Sequence, residues 1–201
     1  MAKVNTTRNG EANRERILEA GLSIFAIDGF AGARIDTIAA LAGLSKPNLL
    51  YYYRTKAALY LAVLQKILDI WLEPLKRMTI SDEPTQALTA YITCKLEHAR
   101  DYPEASRLFA MEIMRGAPIL NQILASELKE LVDAKVLLLT HWMNEGRLAQ
   151  KDPHHLLFMI WATTQHYADF SAQVETLTGR TLRDAAFFDE TRKTLLGLFA
   201  R

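Results

Sequence analysis

Residues 35–59 read IDTIAALAGLSKPNLLYYYRTKAAL, and this run decides the fold. Ile35, Ile38, Ala39 and Ala42 recur at helical spacing, which makes one face of a short helix apolar. Gly43 suits the left-handed position that ends a helix, and Ser45 is a good N-cap for the next. Pro47 falls in the first turn of that second helix, where its missing N–H costs nothing. Two short helices joined by a tight glycine turn are the signature of a helix-turn-helix. In such a unit the second helix enters the major groove of DNA.

The second helix carries side chains suited to that use. Lys46 offers a point charge for a phosphate, Asn48 a bidentate contact to an adenine edge, and Pro47 an apolar contact to a thymine methyl. Tyr51 and Tyr52 can each donate one hydrogen bond to a phosphate. Thr55 caps a long following helix whose first turn holds Lys56, within reach of another phosphate. The plainer reading makes each of these an ordinary surface residue of a helical hairpin.

Working outward, Asn13 is expected to cap a first helix over 14–28, with Ile17, Leu18, Gly21, Leu22 and Phe25 as its core stripe and Gly29 at its end. Residues 1–12 read as a disordered arm. Helix four is predicted over 56–78, helix five over 84–100, a short sixth from Pro103, and a long seventh from Pro118 to Gly146. An eighth runs over 153–177, and Thr178-Gly179-Arg180 turns the chain into a ninth over 182–200. No strand-period alternation and no repeat interrupts this pattern. The fold class is all-α, with about nine helices. Residues 1–55 form a three-helix DNA-binding head, and 56–201 a ligand-binding and dimerisation body.

Composition bounds the function. Half the residues are hydrophobic and 23% charged, as in a globular soluble chain. Residues 1–60 hold eight Lys and Arg against five acids, a net of +3, while the remainder carries −2. A basic head on a mildly acidic body suits a protein that touches DNA with one end. The single Cys94 excludes an internal disulfide. No apolar run reaches the roughly 18 residues of a membrane span, and no signal peptide is expected. A cytoplasmic location follows, without membrane partners. His98, His141, His154, His155 and His166 show no zinc-ligand spacing, and neither a phosphate loop nor a nucleophile elbow occurs. No enzyme, metal or cofactor is expected.

In the body, Leu68, Trp71, Leu72 and Leu75 recur at i, i+3, i+4, i+7, and Trp161 shares a helix face with Gln165. A flat heterocycle stacked on indole, its edge read by one amide, needs that kit. The same residues also fit an ordinary core. Leu156 through Ala162 is apolar in seven consecutive positions, so this helix is buried on more than one side. One side can face the same helix of a second subunit, with Phe187, Phe188, Leu195, Leu196 and Phe199 completing the interface of a C₂ homodimer.

Thr37, Ile38, Ala39, Ala42, Gly43, Ser45, Leu49, Tyr52, Lys56 and Leu59 together resemble the N-terminal domain of TetR-family transcriptional regulators. The chain departs from that pattern at Leu50, Tyr53 and Ala57. The resemblance implies double-stranded operator DNA as partner and adds Thr37 and Ser45 to the DNA-contacting set. The runs ILDIWLEPLK (67–76), DYPEASRLF (101–109), GAP (116–118) and HLLFMIWATTQHYADF (155–170) are similar to the family's pyrimidine-utilisation branch. That likeness implies uracil or thymine as effector. Two alternatives stay open: a regulator answering a different small aromatic or apolar ligand, and a helical dimer that no longer binds DNA.

Overall fold

The computed structural model describes residues 8–199, and every regular element among them is helical. The head comprises α1 (Arg8–Gly32), α2 (Ile35–Leu41) and α3 (Lys46–Tyr52). α1 begins more than a turn before its predicted start. Asn13 is therefore not a cap; from inside the helix its amide donates to the Tyr52 hydroxyl at 3.0 Å and accepts from Arg16. The arm expected over 1–12 is helical from Arg8, and residues 1–7 lie outside the described residues. Gly29, at φ 66°, ends the regular part of α1 where the glycine was expected to end it.

The turn between α2 and α3 is built as its residues dictate. Gly43 adopts φ 67°; its N–H reaches the Ala40 carbonyl, and the Leu44 N–H reaches Ala39. This pair of bonds is a Schellman motif, which satisfies carbonyls the helix end would otherwise leave open. Ser45 Oγ then accepts from the Asn48 N–H, with Pro47 in the first turn. Leu49, fully buried, anchors α3 to the core beneath, while Leu50 is half-buried.

α4 (Lys56–Arg77) is capped by Thr55 Oγ1 accepting from the Ala58 N–H at 3.0 Å. It lies so close to α1 that a Cβ at Gly21 would stand 3.1 Å from Val63. The body continues with α5 (Pro84–Asp101) and α6 (Pro103–Met114). The predicted seventh helix does not start at Pro118, because Ala117 sits at φ 52° and directs the chain through a turn first. It starts instead as α7 (Asn121–Ile123), passes through a π-helical turn at Leu124–Leu128, and continues as α8 (Lys129–Asn144).

The predicted eighth helix is two: α9 (Pro153–Asp169) and α10 (Ser171–Thr178), separated at Phe170. α11 (Ala185–Phe199) begins later than expected, because Asp184 accepts from the Phe187 N–H and caps it. Two clusters of buried apolar side chains hold the chain together. One joins α1–α3 to α4 as far as Trp71 and to α6; the other joins the end of α4 to α5, α8, α9 and α11. α4 belongs to both.

Candidate nucleic-acid interface and effector cavity

Thr37, Ser45, Lys46, Pro47, Asn48 and Tyr51 are all exposed on α2, the turn and α3. Tyr51 is 82% exposed, far beyond what an aromatic at a helix surface needs for folding. Tyr52 is half-buried, packed edge-on to Tyr51 with the Arg14 guanidinium over its ring. The Lys46 ammonium stands 3.1 Å from Asp36 on α2. Both partners are half-exposed, so the pair is weak and a phosphate can displace it. Lys56 is differently engaged. Its ammonium donates to the Ala31 and Ala33 carbonyls at 3.2 and 3.0 Å and lies over the Phe30 ring. It closes the C-terminal end of α1, where a cation meets the helix dipole favourably.

The body holds a partly open cavity of about 50 Å³, bounded by α4, α5, α6, the π turn and α9. Of the residues singled out by sequence, Leu68, Trp71, Leu72, Trp161 and Gln165 line it together. Leu75 does not. One turn beyond Leu72, it is fully buried in the second apolar cluster. Tyr91, Lys95, Phe109 and Leu128 complete the wall, and periodicity gave no sign of them. At roughly 10–15 Å³ per water centre, such a space holds a few waters; on the scale by which about 150 Å³ holds benzene, a six-membered ring enters only as the walls move apart.

The walls are aromatic and the polar groups few. Trp71 meets Phe109 edge-on at 5.3 Å. The Trp161 indole N–H donates to the Tyr91 hydroxyl at 2.6 Å, and burial pushes that hydroxyl well above the usual phenol range. Lys95 is 4% exposed, its ammonium 4.5 Å from the Trp71 ring centre. Burial pulls it down to about 8 from 10.5, against the opposing charge of Asp169. Asp169 at the end of α9 is raised by its own burial and accepts a hydrogen bond from Ser106. Neither the Lys95 ammonium nor the Gln165 amide has a hydrogen-bond partner among the described residues. Lys95 is buried and Gln165 half-buried, and both line the cavity, so their donors are open to an acceptor that enters it.

α9 and α11 turn a second apolar face outward. Leu156, Leu157 and Ile160 are buried within the chain, while Phe158 and Met159 are 50% and 46% exposed. Leu198 on α11 and Leu177 on α10 are exposed as well. Cys94 is half-buried beside His98. No helix among the described residues is long and apolar enough to cross a membrane, and no group of metal-ligating side chains occurs there.

Residues 17–63 match the model of bacterial regulatory proteins of the tetR family, and residues 64–201 match that of the C-terminal region of YcdC-like proteins. Over 185 residues the chain is 54% identical to the HTH-type transcriptional regulator RutR of Escherichia coli K12, covering 92% of this chain and 87% of that one. The HTH-type transcriptional repressor SCO4008 of Streptomyces coelicolor is 36% identical over 53% of each chain. In fold, the chain is similar to AibR, solved with isovaleryl coenzyme A and operator DNA. That match has a TM-score of 0.70 and 15% identity, over 93% of this chain and 97% of that one.

Proposed function

This chain belongs to the TetR family of bacterial regulatory proteins and is a DNA-binding transcriptional regulator; from that premise we propose that it is a homodimer whose hold on its operator is set by uracil or thymine. We divide it at residue 55 into an operator-binding head and an effector-binding body. The observation that carries the reading is the pairing of two polar groups in one cavity walled by aromatic rings. The Lys95 ammonium and the Gln165 amide both lack partners there. A pyrimidine base offers ring carbonyls to an ammonium, an adjacent N–H and C=O to an amide, and a flat face to indole. A purely apolar ligand would leave both groups unsatisfied, at a cost of about 1–3 kcal/mol each.

At the operator, α3 enters the major groove. Asn48 reads a base edge, Lys46 and the tyrosines hold phosphates, and Thr37 and Ser45 add hydroxyls at the flanks. Lys56 acts indirectly, fixing the end of α1 against α4 through the Ala31 and Ala33 carbonyls. Two heads are needed, since paired half-sites lie about 34 Å apart. The exposed face of α9 and α11 supplies the self-complementary patch that joins them.

Control passes along α4, which carries Leu68, Trp71 and Leu72 into the cavity and Lys56, Leu59 and Tyr60 into the head. Effector in the cavity favours a subunit arrangement whose α3 helices no longer match the groove. Operator and effector then oppose each other by the same factor. A thermal-shift panel tests the assignment, because a ligand that binds the folded chain raises its Tm by mass action. Uracil and thymine raise it; unrelated aromatics of equal size do not. Equal shifts from the unrelated compounds would replace the pyrimidine with another effector.

A further inference from the structure

A second cavity, about 260 Å³, lies between α1, α4 and α6. Leu18 and Leu22 of α1 face Val63, Ile67 and Ile70 of α4 across it, and Trp71 lines both this space and the effector cavity. Protein interiors pack as densely as organic crystals, and an apolar cavity of about 150 Å³ is enough to hold benzene. By that scale this one takes a molecule of roughly ten heavy atoms.

Its rim is charged. Glu15 and Glu19 stand on one face of α1, four residues apart, with Lys66 of α4 opposite. Lys66 is ion-paired to Glu15; Glu19 has no ion-pair partner among the described residues. The rim thus holds two carboxylates and one ammonium. An apolar body beneath a net negative rim favours an organic cation over an anion of the same shape.

We propose that this cavity is a second ligand site and that it takes a small hydrophobic amine, its apolar end between α1 and α4 and its ammonium at Glu19. The site touches the head on one side and the body on the other, so an occupant braces one against the other. It is distinct from the cavity holding Lys95 and Gln165, and it stands whatever ligand that cavity takes.

Calorimetry on the full-length protein tests it with three phenylalkyl probes that differ in end group: 2-phenylethylamine, 3-phenylpropionate and propylbenzene. The amine binds tighter than the carboxylate by about fivefold or more, and Glu19→Gln narrows that gap by about two- to fivefold, as expected for a solvated charge pair. Ile70→Trp and, separately, Leu18→Trp fill the space and abolish binding, with circular dichroism reporting that each is folded. Gln165→Ala leaves the amine's affinity unchanged. Failure of all three probes to bind the wild-type chain, preference for the carboxylate, an unchanged preference in Glu19→Gln, or loss of binding in Gln165→Ala would each overturn the proposal. So would binding that survives in a folded filling variant. Glu19→Gln alters an exposed side chain, so the test remains decisive should both tryptophan variants fail to fold.

Discussion

The ammonium of Lys95 lies 4.5 Å from the centre of the Trp71 indole, 4% exposed and without a hydrogen-bond partner among the described residues. The cation–π contact recovers part of what burial costs, on the order of 2 kcal/mol in a desolvated site. Asp169 offsets a further share through space. A lysine held so incompletely is poor design for a core and good design for a pocket that receives a carbonyl.

That placement predicts how stability depends on pH. Lys95 is lowered to about 8 from 10.5, so between those values the folded chain binds fewer protons than the unfolded one. Stability therefore rises with pH across that window, and the burial cost is present in full below it. Lys95→Met should flatten the rise and raise stability near neutrality by on the order of 1–3 kcal/mol, while removing the effector response. Thermal melts of both proteins from pH 7 to pH 10.5 measure it.

Gln165→Ala removes the amide without touching the apolar clusters. The variant should remain a dimer and bind operator as before, yet lose the response to uracil at the concentration that suffices for the wild type. Release of labelled operator at that same concentration would end the edge-reading role.

In the head, Lys46→Ala should weaken binding to specific and random duplexes alike and reduce the salt slope by about 1. An unchanged slope would leave Lys46 with Asp36 alone. Asn48→Ala should relax selection at one base position, worth about 1–3 kcal/mol of discrimination.

The exposed face of α9 is the weak point of a dimer. Phe158 and Met159 stand beside one another on it, half-exposed in the single chain. Phe158→Glu combined with Met159→Glu places two charges at the centre of the proposed interface. Sedimentation should find monomers at concentrations where the wild type is dimeric, with operator affinity lost in parallel.

Glu112 ties the body to the head core. Its buried carboxylate accepts from the Ile119 and Leu120 N–H groups and from the Tyr60 hydroxyl, which burial and that carboxylate push up to about 12. Glu112→Ala leaves those donors without a partner, so it should destabilise the fold by at least about 2 kcal/mol in chemical denaturation.

What the sequence reveals follows from the range of the interactions that decide each element. The Gly43 turn, the Ser45 and Thr55 caps and the buried Leu49 depend on neighbours within a few residues, so the helix-turn-helix is legible in full. Asn13 misleads because the first turns of α1 are polar and give no periodic signal, although they are helical. The cavity proposed for the effector is half-legible. The stripe on α4 includes Leu68, Trp71 and Leu72, which line the cavity, but cannot tell where the helix leaves it, and Leu75 falls beyond that point. Lys95 reads like any solvated lysine on an amphipathic helix. Only the approach of α4 and α9 to α5, set by residues far apart in the chain, makes it a buried one.

The central claim is that pyrimidine and operator compete for this dimer through α4. Fluorescence anisotropy of a labelled operator, titrated with uracil at fixed protein and salt, measures it most directly. Operator affinity should fall as uracil rises, reach a plateau, and show no change in the Gln165→Ala protein. Operator affinity that stays constant to saturating uracil and thymine, in a protein that binds its operator as a dimer, would contradict the account.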